Sequence, residues 1–366
     1  MSAMTVDTAT REATEFRASG AAVHAFILAA LRAAGTADDA SRSVADALTE
    51  ASLRGVDSHG ARLVLHYARV VRTGRINPAP RLAAKVTGPG TVIVDGDNGF
   101  GHHASFFAVD EAVRLARSAG IAAASVVNSS HFGAAGCYAM RAAGAGMAGF
   151  AFCNSDSFVL PHDGVAPFHG TNPLAFAAPV AGSRPYLLDM ATSMVPWNKV
   201  QDMAVKGLTL PPEVAVDSAG QPTTEPLRSA ALLPLGGLGF GHKGSGLASL
   251  MEILSAVMTG MPHCADLLGM VGPDQSTPRR LGHFFIVIDP ERLVPRAVYD
   301  AGMAAYLASI RAAPARPGKS VMAPGDREWA VEIERSRDGI PLAPGLRQAF
   351  DALADELAIA RLQPVG

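Results

Sequence analysis

The segment Ile121–Tyr138 constrains this chain more than any other, because it joins a strand signal to a helix signal through one short polar turn. The run Ile121–Val127 (IAAASVV) is small and β-branched, and predicts a buried strand. The Ala-rich stretch Ala134–Ala145 predicts a helix. Ser129 or Ser130 is expected to cap that helix, and Gly133 to supply the sharp turn. His131 then sits at the junction beside a positive helix end. An imidazole there stays neutral and can exchange a proton near pH 7. The alternative is a histidine that only satisfies the turn, and the rest of the chain must decide.

The chain has 366 residues, enough for two domains or one large one. Hydrophobic residues make up 49% and charged residues 17%, which suits a buried core rather than a disordered or fibrous chain. The net charge is −2 with no basic run, which argues against nucleic-acid and anionic-lipid partners. Three cysteines without a CxxC pair argue against a disulfide framework or a structural zinc. No apolar run is long enough to span a bilayer, and Met1–Thr10 lacks the apolar core of a secretory signal. The cytoplasm is the expected compartment.

Residues 1–15 are polar and expected to fray. From Ala21 to Arg54 the spacing predicts two helices, broken at Gly35–Thr36, with the second starting near Asp38. Asp57, Ser58, His59 and Gly60 then interrupt the pattern. A cap on a helix beginning near Ala61 explains Asp57 and Ser58, but not His59 followed by Arg62. The Pro/Asn-rich stretch Arg72–Arg81 reads as a linker. Strands are expected within Val86–Gly96 and at Ala148–Cys153, Ala175–Pro179, Tyr186–Leu188 and His283–Asp289, the last being the clearest. Helices are expected at Phe106–Ser118, Leu247–Thr259, Val298–Ala312 and Leu346–Leu362, with Gly236–Gly246 as a Gly-rich loop before the second of these. Residues 196–230 show no clear period.

Two glycine patterns imitate dinucleotide sites. Gly99-Phe-Gly101-His-His-Ala104 follows a strand, but the next strand runs into Asn-Ser-Ser-His where a Rossmann site needs an acid. Gly239-Phe-Gly241-His-Lys-Gly244 has no convincing strand before it, and its upstream glycine spacing does not fit a Walker A loop. His102, His103 and His131 invite a metal reading. Adjacent histidines point apart on a helix, however, and no HxxxH spacing exists, so no metal site is assigned.

Four polar groups remain unexplained by packing. They are Ser58/His59/Arg62, His131, the loop Asn154-Ser155-Asp156 with Gly170-Thr-Asn-Pro173, and Asp189-Met-Ala-Thr-Ser193 with Lys243. Arg62 can grip a carboxylate through two nitrogens. His131 can move a proton on and off an oxygen. Lys243, one of five lysines among 31 Lys and Arg, sits in a Gly-rich run suited to phosphate or ribose. Together they suggest redox chemistry on a small acid with a nucleotide cofactor.

These residues stand in a set of specific motifs: RGVDSHG at 54–60, DGDNGFGH at 95–102, NSSHFGAAGCYA at 128–139 and GTNPLAFAAP at 170–179. DMATS at 189–193, LLPLGG at 232–237, HKGSGLA at 242–248 and GHFFIVIDP at 282–290 complete it. With them the chain, over about residues 20–350, resembles the malate/L-lactate dehydrogenase family of the non-Rossmann type. That group includes ureidoglycolate and sulfolactate dehydrogenases, diketogulonate reductases and Δ1-piperideine-2-carboxylate reductases.

The resemblance implies an α/β, non-Rossmann NAD(P)-dependent oxidoreductase fold. A helical domain over 16–80, completed by about 291–366, would flank a central mixed-sheet cofactor domain over 81–290. It implies reduction of a small 2-oxo acid, or the reverse, with NADPH or NADH, and cyclic 2-imino acids as the alternative substrates. His131 falls on the acid/base, and Ser58, His59 and Arg62 on the region that meets substrate and nicotinamide. Ser155, Asp189, Met190, Ala191, Lys243, Pro324, Gly325 and Asp326 match cofactor-site positions, and His59 is shared between the two sets. Asp189 is also a candidate partner for an imidazole. The chain departs from the common pattern at Pro161-His-Asp-Gly164, at Ser245 and at Asn198, and some relatives carry the arginine one place after Arg62. The resemblance further implies a homodimer, and a partner surface could cover the polar stretch Arg54–Tyr67. The chain's own C-terminal helices are the other possible cover.

Overall fold

The computed structural model describes residues 16–365, so the expected frayed segment 1–15 lies outside the described residues. The chain opens with a short strand β1 (Phe16–Ala18) and helix α1 (Gly20–Ala33), whose first turn is capped by Ser19 Oγ accepting the Ala22 N–H. Val23, Phe26, Ile27, Ala30 and Leu31 recur at three- and four-residue spacing and form the buried face of α1. Helix α2 (Asp38–Leu53) starts with two aspartates, which suit the positive end of its dipole. The next helix begins as two 3-10 turns, Asp57–His59 and Ala61–Leu63, and becomes regular only in α3 (Val64–Arg72).

The middle of the chain runs β2 (Ala83–Gly88), β3 (Thr91–Asp95), α4 (Gly101–Ala119), β4 (Ile121–Ser129), α5 (Gly136–Gly144), β5 (Ala148–Cys153), β6 (Leu174–Ala178) and β7 (Tyr186–Met190). Then come α6 (Trp197–Val205), the short strands β8 (Ala215–Val216), β9 (Pro222–Thr223) and β10 (Ala231–Leu232), and α7 (Gly237–Glu252). The chain closes with β11 (Leu281–Ile288), α8 (Arg296–Arg311), α9 (Asp326–Asp338), β12 (Ile340–Leu342) and α10 (Pro344–Leu357).

One seven-stranded sheet, in the order β2-β3-β4-β11-β5-β6-β7, organises the site. Only β3 and β4 are parallel, joined across α4, and every other pair is antiparallel. The sheet is therefore mixed. The expected clearest strand, β11, enters between β4 and β5, with His283 level with Val126 on one side and Cys153 on the other. One apolar core lies between this sheet and α4 and α5, and a second lies among α1, α2, α3, β12 and α10. Helix α2 serves both, giving Ala47 and Ala51 to the first and Val44 and Leu48 to the second. Among the described residues no helix is long and apolar enough to cross a membrane.

Three local expectations are corrected. Helix α5 begins at Gly136, and no serine caps it: Ser129 Oγ lies 3.0 Å from His283 Nε2, while Asp189 Oδ2 accepts the Gly136 N–H at 2.9 Å. Residues from Gly237 onward are helical rather than a Gly-rich loop, followed by a π turn at Ile253–Val257. Gly244 serves close packing, since a Cβ there would lie 2.4 Å from the Leu235 backbone. Residues 196–230, where no period was legible, form α6 and a three-stranded sheet, β10-β8-β9, which also takes in Ala231–Leu232. Val159, Val200, Leu210 and Val214 cluster beneath it.

Candidate active site

The end of β4, the first 3-10 turn and the loops after β5 and β7 converge on a cavity of about 150 Å³. Ser58, His59, His131, Ser155, Asp189, Met190 and Ala191, all expected site residues, line it. His131 follows β4 by two residues, and Gly133 makes the expected turn at φ 72°. A Cβ on Gly133 would meet His102 Nε2 at 2.7 Å, so only glycine allows this approach.

The imidazole of His131 is held from two sides. Tyr67, fully buried on α3, brings its hydroxyl to 2.6 Å from His131 Nδ1. The His59 ring stacks on His131 with centroids 5.8 Å apart and planes at 20°. Ser58 Oγ in turn lies 2.9 Å from His59 Nδ1. Burial, reinforced by nearby His59, His102 and Arg279, pushes the His131 pKa well below the usual histidine range. Burial and the charge of Arg62 lower His59 to about 4. Burial also raises the Tyr67 hydroxyl well above its ordinary value. At neutral pH both imidazoles are uncharged and Tyr67 keeps its proton.

The Asp189 carboxyl is raised to about 6, first by burial, with the Gly136 N–H and Arg54 pulling the other way. Its bond to Gly136 corrects the expected pairing with an imidazole: Asp189 caps a helix. Ser155 Oγ accepts the Thr171 N–H at 3.0 Å, which ties the loop after β5 to the loop before β6.

Five expected site residues lie outside the cavity lining. Arg62 is exposed and acts on His59 only through its charge. Lys243 is exposed in the second turn of α7, 5.4 Å from the centre of the Phe240 ring. Pro324, Gly325 and Asp326 form the start of α9. Pro324 O accepts the Leu187 N–H at 3.4 Å, and Asp326 takes the Ala323 N–H and both forks of Arg311 at 2.9 and 2.7 Å. That segment buttresses β7, and Glu328, one turn further on, reaches the cavity.

Sequence reasoning did not find Tyr67, Arg54 or Arg279. Arg54 is buried, pairs with Glu50 at 2.9 Å and lines the cavity. Arg279 is buried, ion-paired to Asp156, and one of the charges that lower the His131 pKa. Two arginines before a strand give no local sign of which is buried. Tyr67 offered only its place on the helix that follows His59. Of the departures from the family pattern, Asn198 Nδ2 reaches Ser58 O in the cavity lining at 3.5 Å, while Ser245 Oγ accepts the His162 N–H at 3.3 Å outside that lining.

The expected partner cover of Arg54–Tyr67 is supplied at Asp57 by the chain itself. Arg335 on α9 grips Asp57 with two bonds of 2.6 and 2.9 Å and also donates to Ser52 O. A larger open groove of about 890 Å³ runs between α2, α4 and α5, and Arg54–Glu50, Arg141–Asp110 and Arg184–Glu332 pair most of the charges that line it. Among the described residues no three His, Cys, Asp or Glu side chains converge as a metal set.

Comparison with known proteins agrees with this geometry. A profile of the family described as malate/L-lactate dehydrogenase matches residues 19–351. Malate dehydrogenase of Pyrococcus abyssi is 34% identical, covering 92% of this chain and 94% of its own. Ureidoglycolate dehydrogenase (NAD(+)) of Escherichia coli K12 is 33% identical, covering 89% and 92%. The structure of Δ1-piperideine-2-carboxylate reductase from Pseudomonas syringae pvar. tomato superposes with a TM-score of 0.81 at 29% identity, covering 93% and 99%. The fold, the matched length and the identity agree: this chain belongs to the malate/L-lactate dehydrogenase family, whose members are nicotinamide-dependent oxidoreductases.

Proposed function

We propose that the chain interconverts a small 2-oxo acid and its 2-hydroxy acid, with NADH or NADPH as cofactor and His131 as the acid/base. The observation that carries this reading is the neutral His131 imidazole, bonded through Nδ1 to Tyr67 and lining the cavity. Its Nε2 has no hydrogen-bond partner among the described residues and is the atom left for a substrate oxygen. The residues present fit a nicotinamide, because the cavity joins this imidazole to an unpartnered buried acceptor on Asn154.

When bound, the nicotinamide supplies or accepts the hydride at substrate C2. In the oxidative direction Nε2 takes the hydroxyl proton while Nδ1–H donates to the Tyr67 oxygen. In the reductive direction the protonated ring donates to the developing alkoxide, and a substrate carboxylate beside it favours that charge. Ser58 and His59 orient the carboxylate, and Arg62 adds positive potential from the solvent side. Ser155, Asp189, Met190 and Ala191, which line the cavity, would hold the cofactor. An extended dinucleotide exceeds a 150 Å³ cavity, so Lys243 and Pro324–Asp326 are assigned to its outer part.

The test is loss of reduced-nicotinamide absorbance when NADH or NADPH meets a panel of 2-oxo acids, with ureidoglycolate and NAD(+) or NADP(+) run in reverse. The likeness to the piperideine carboxylate reductase supports a second reading, reduction of cyclic 2-imino acids. Faster turnover of Δ1-piperideine-2-carboxylate than of every oxo acid would favour it. No turnover anywhere in the panel would overturn both.

A homodimer is also proposed. Its support is the exposed apolar stripe Leu250, Ile253 and Val257 along α7 and the π turn, rather than the stretch Arg54–Tyr67. Light scattering showing a fully active monomer at high dilution would refute it. The three buried, unpaired cysteines support the reducing environment of the cytoplasm.

A further inference from the structure

Asn154 follows β5 directly, is 1% exposed and lines the cavity. Its Nδ2 donates to Pro262 O at 3.0 Å and to Glu252 Oε2 at 3.4 Å. A carbonyl and a carboxylate only accept, so turning the amide over would set oxygen against oxygen twice. The orientation is thereby fixed and Oδ1 faces away from both. Oδ1 has no hydrogen-bond partner, and no other buried side-chain nitrogen or oxygen among the described cavity-lining residues shares that condition. A buried acceptor without a donor is unfavourable unless a ligand brings one.

Glu252 is itself anchored. It is buried at the end of α7, and its carboxylate accepts Asn172 Nδ2 at 3.0 Å, the Cys264 N–H at 3.1 Å and the Cys264 thiol. Asn172 Oδ1 then accepts the Ser155 N–H at 3.2 Å, so one carboxylate braces both loops that meet at the cavity. No lysine or arginine pairs with Glu252 among the ion pairs of the described residues. Its bonds all run to groups that hold the site.

The identity of the missing donor follows from the proposed reaction, on which this inference rests. A 2-oxo acid carries only acceptors, and the single O–H of a simple 2-hydroxy acid must face His131 to deliver its proton. The remaining donors are those of the dinucleotide, its ribose hydroxyls and the N–H of the nicotinamide carboxamide, and the carboxamide is the one carried by the reacting ring itself. We propose that Asn154 Oδ1 accepts that N–H, and that Glu252 is the positioning residue that fixes the Asn154 amide for it.

The test compares two probes by calorimetry: reduced nicotinamide dinucleotide, and the reduced 3-acetylpyridine analogue, in which a methyl group replaces the amide NH₂. The wild-type protein should bind the amide about tenfold more tightly, the worth of one hydrogen bond of ordinary strength. Asn154→Ala should bind both probes alike, and Glu252→Gln should lose most of the preference while its melting curve shows a folded protein. If Glu252→Gln does not fold, Asn154→Ala decides alone. An Asn154→Ala variant that keeps the tenfold preference, or weakens both probes equally, overturns the inference and leaves the cofactor reading intact. An unchanged preference with a raised substrate KM would mean that the substrate supplies the donor, which also overturns it. If the wild-type protein binds neither NADH nor NADPH, the cofactor reading falls and this inference with it.

Discussion

The Tyr67 hydroxyl and His131 Nδ1, brought together from α3 and the end of β4, lie 2.6 Å apart, within hydrogen-bond distance. Burial keeps Tyr67 protonated and His131 neutral. The pair therefore controls which ring nitrogen holds the hydrogen, and so whether Nε2 can accept a proton from substrate. Phe100 and His102 meet the Tyr67 ring edge-on at 5.5 and 5.2 Å, which limits its movement. In the proposed reaction the phenol would act through His131, as a positioning residue.

Tyr67→Phe removes that hydroxyl and keeps the ring. Turnover should fall about 10- to 100-fold while substrate KM changes little, because the loss appears only as the proton moves. The pH profile of kcat should also shift. A variant with wild-type kcat and pH profile would reduce Tyr67 to a packing role.

His131→Ala should cost on the order of 10²- to 10⁴-fold in turnover, the usual contribution of a general acid/base. Binding of the reduced cofactor, followed by its fluorescence, should survive. Near-normal turnover would remove His131 from the chemistry.

The turn bearing Ser58 and His59 hangs on Arg335, through its two bonds to Asp57 and one to Ser52 O. Asp57 is largely exposed, so the pair itself contributes no more than about 1 kcal/mol to stability. Arg335→Ala should therefore leave the midpoint of urea unfolding nearly unchanged and raise substrate KM several-fold. A large stability loss with normal KM would mean that the contact braces the fold and not the turn.

What was legible in the sequence was whatever local chemistry determines. The run IAAASVV can only pack as a strand against a close helix, and β4 with α4 and α5 follows. Gly133 had to turn, and it does. Ser58, His59, His131, Ser155 and Asp189 were found because polar residues in apolar surroundings stand out, and all five line one cavity. Contacts that depend on tertiary approach were hidden. The helix cap on α5 comes from Asp189, 53 positions away, so Ser129 and Ser130 looked like the local answer. The glycines around Lys243 read as a flexible loop because spacing cannot show that Leu235 presses against Gly244. Tyr67 meets His131 across 64 positions, a separation at which a single sequence carries no pairing signal.

The last expectation concerns acid. His59 and His66 are lowered to about 4, and His102 and His283 to about 3, in each case chiefly by burial. Above the ordinary histidine value near 6.5, folded and unfolded chains both hold these rings neutral, and stability does not depend on them. Below it the unfolded chain takes up protons that the folded chain refuses until about 3 to 4. Stability must therefore fall as the pH drops through that window. Asp189, raised to about 6, opposes the trend, because its folded form binds a proton first. It is one group against these four and against His131, His103 and His169, which burial lowers as well. His102 is the ring to change, since both its nitrogens are buried without a partner. His102→Met keeps the apolar volume, removes the unpaired atoms and cannot titrate. The unfolding free energy from urea titration should match or exceed the wild type by about 1 kcal/mol at neutral pH. The decline toward about pH 5 should be shallower, since each unit of lost shift is worth about 1.4 kcal/mol. An acid decline as steep as that of the wild type would show that His102 is not among the groups driving it.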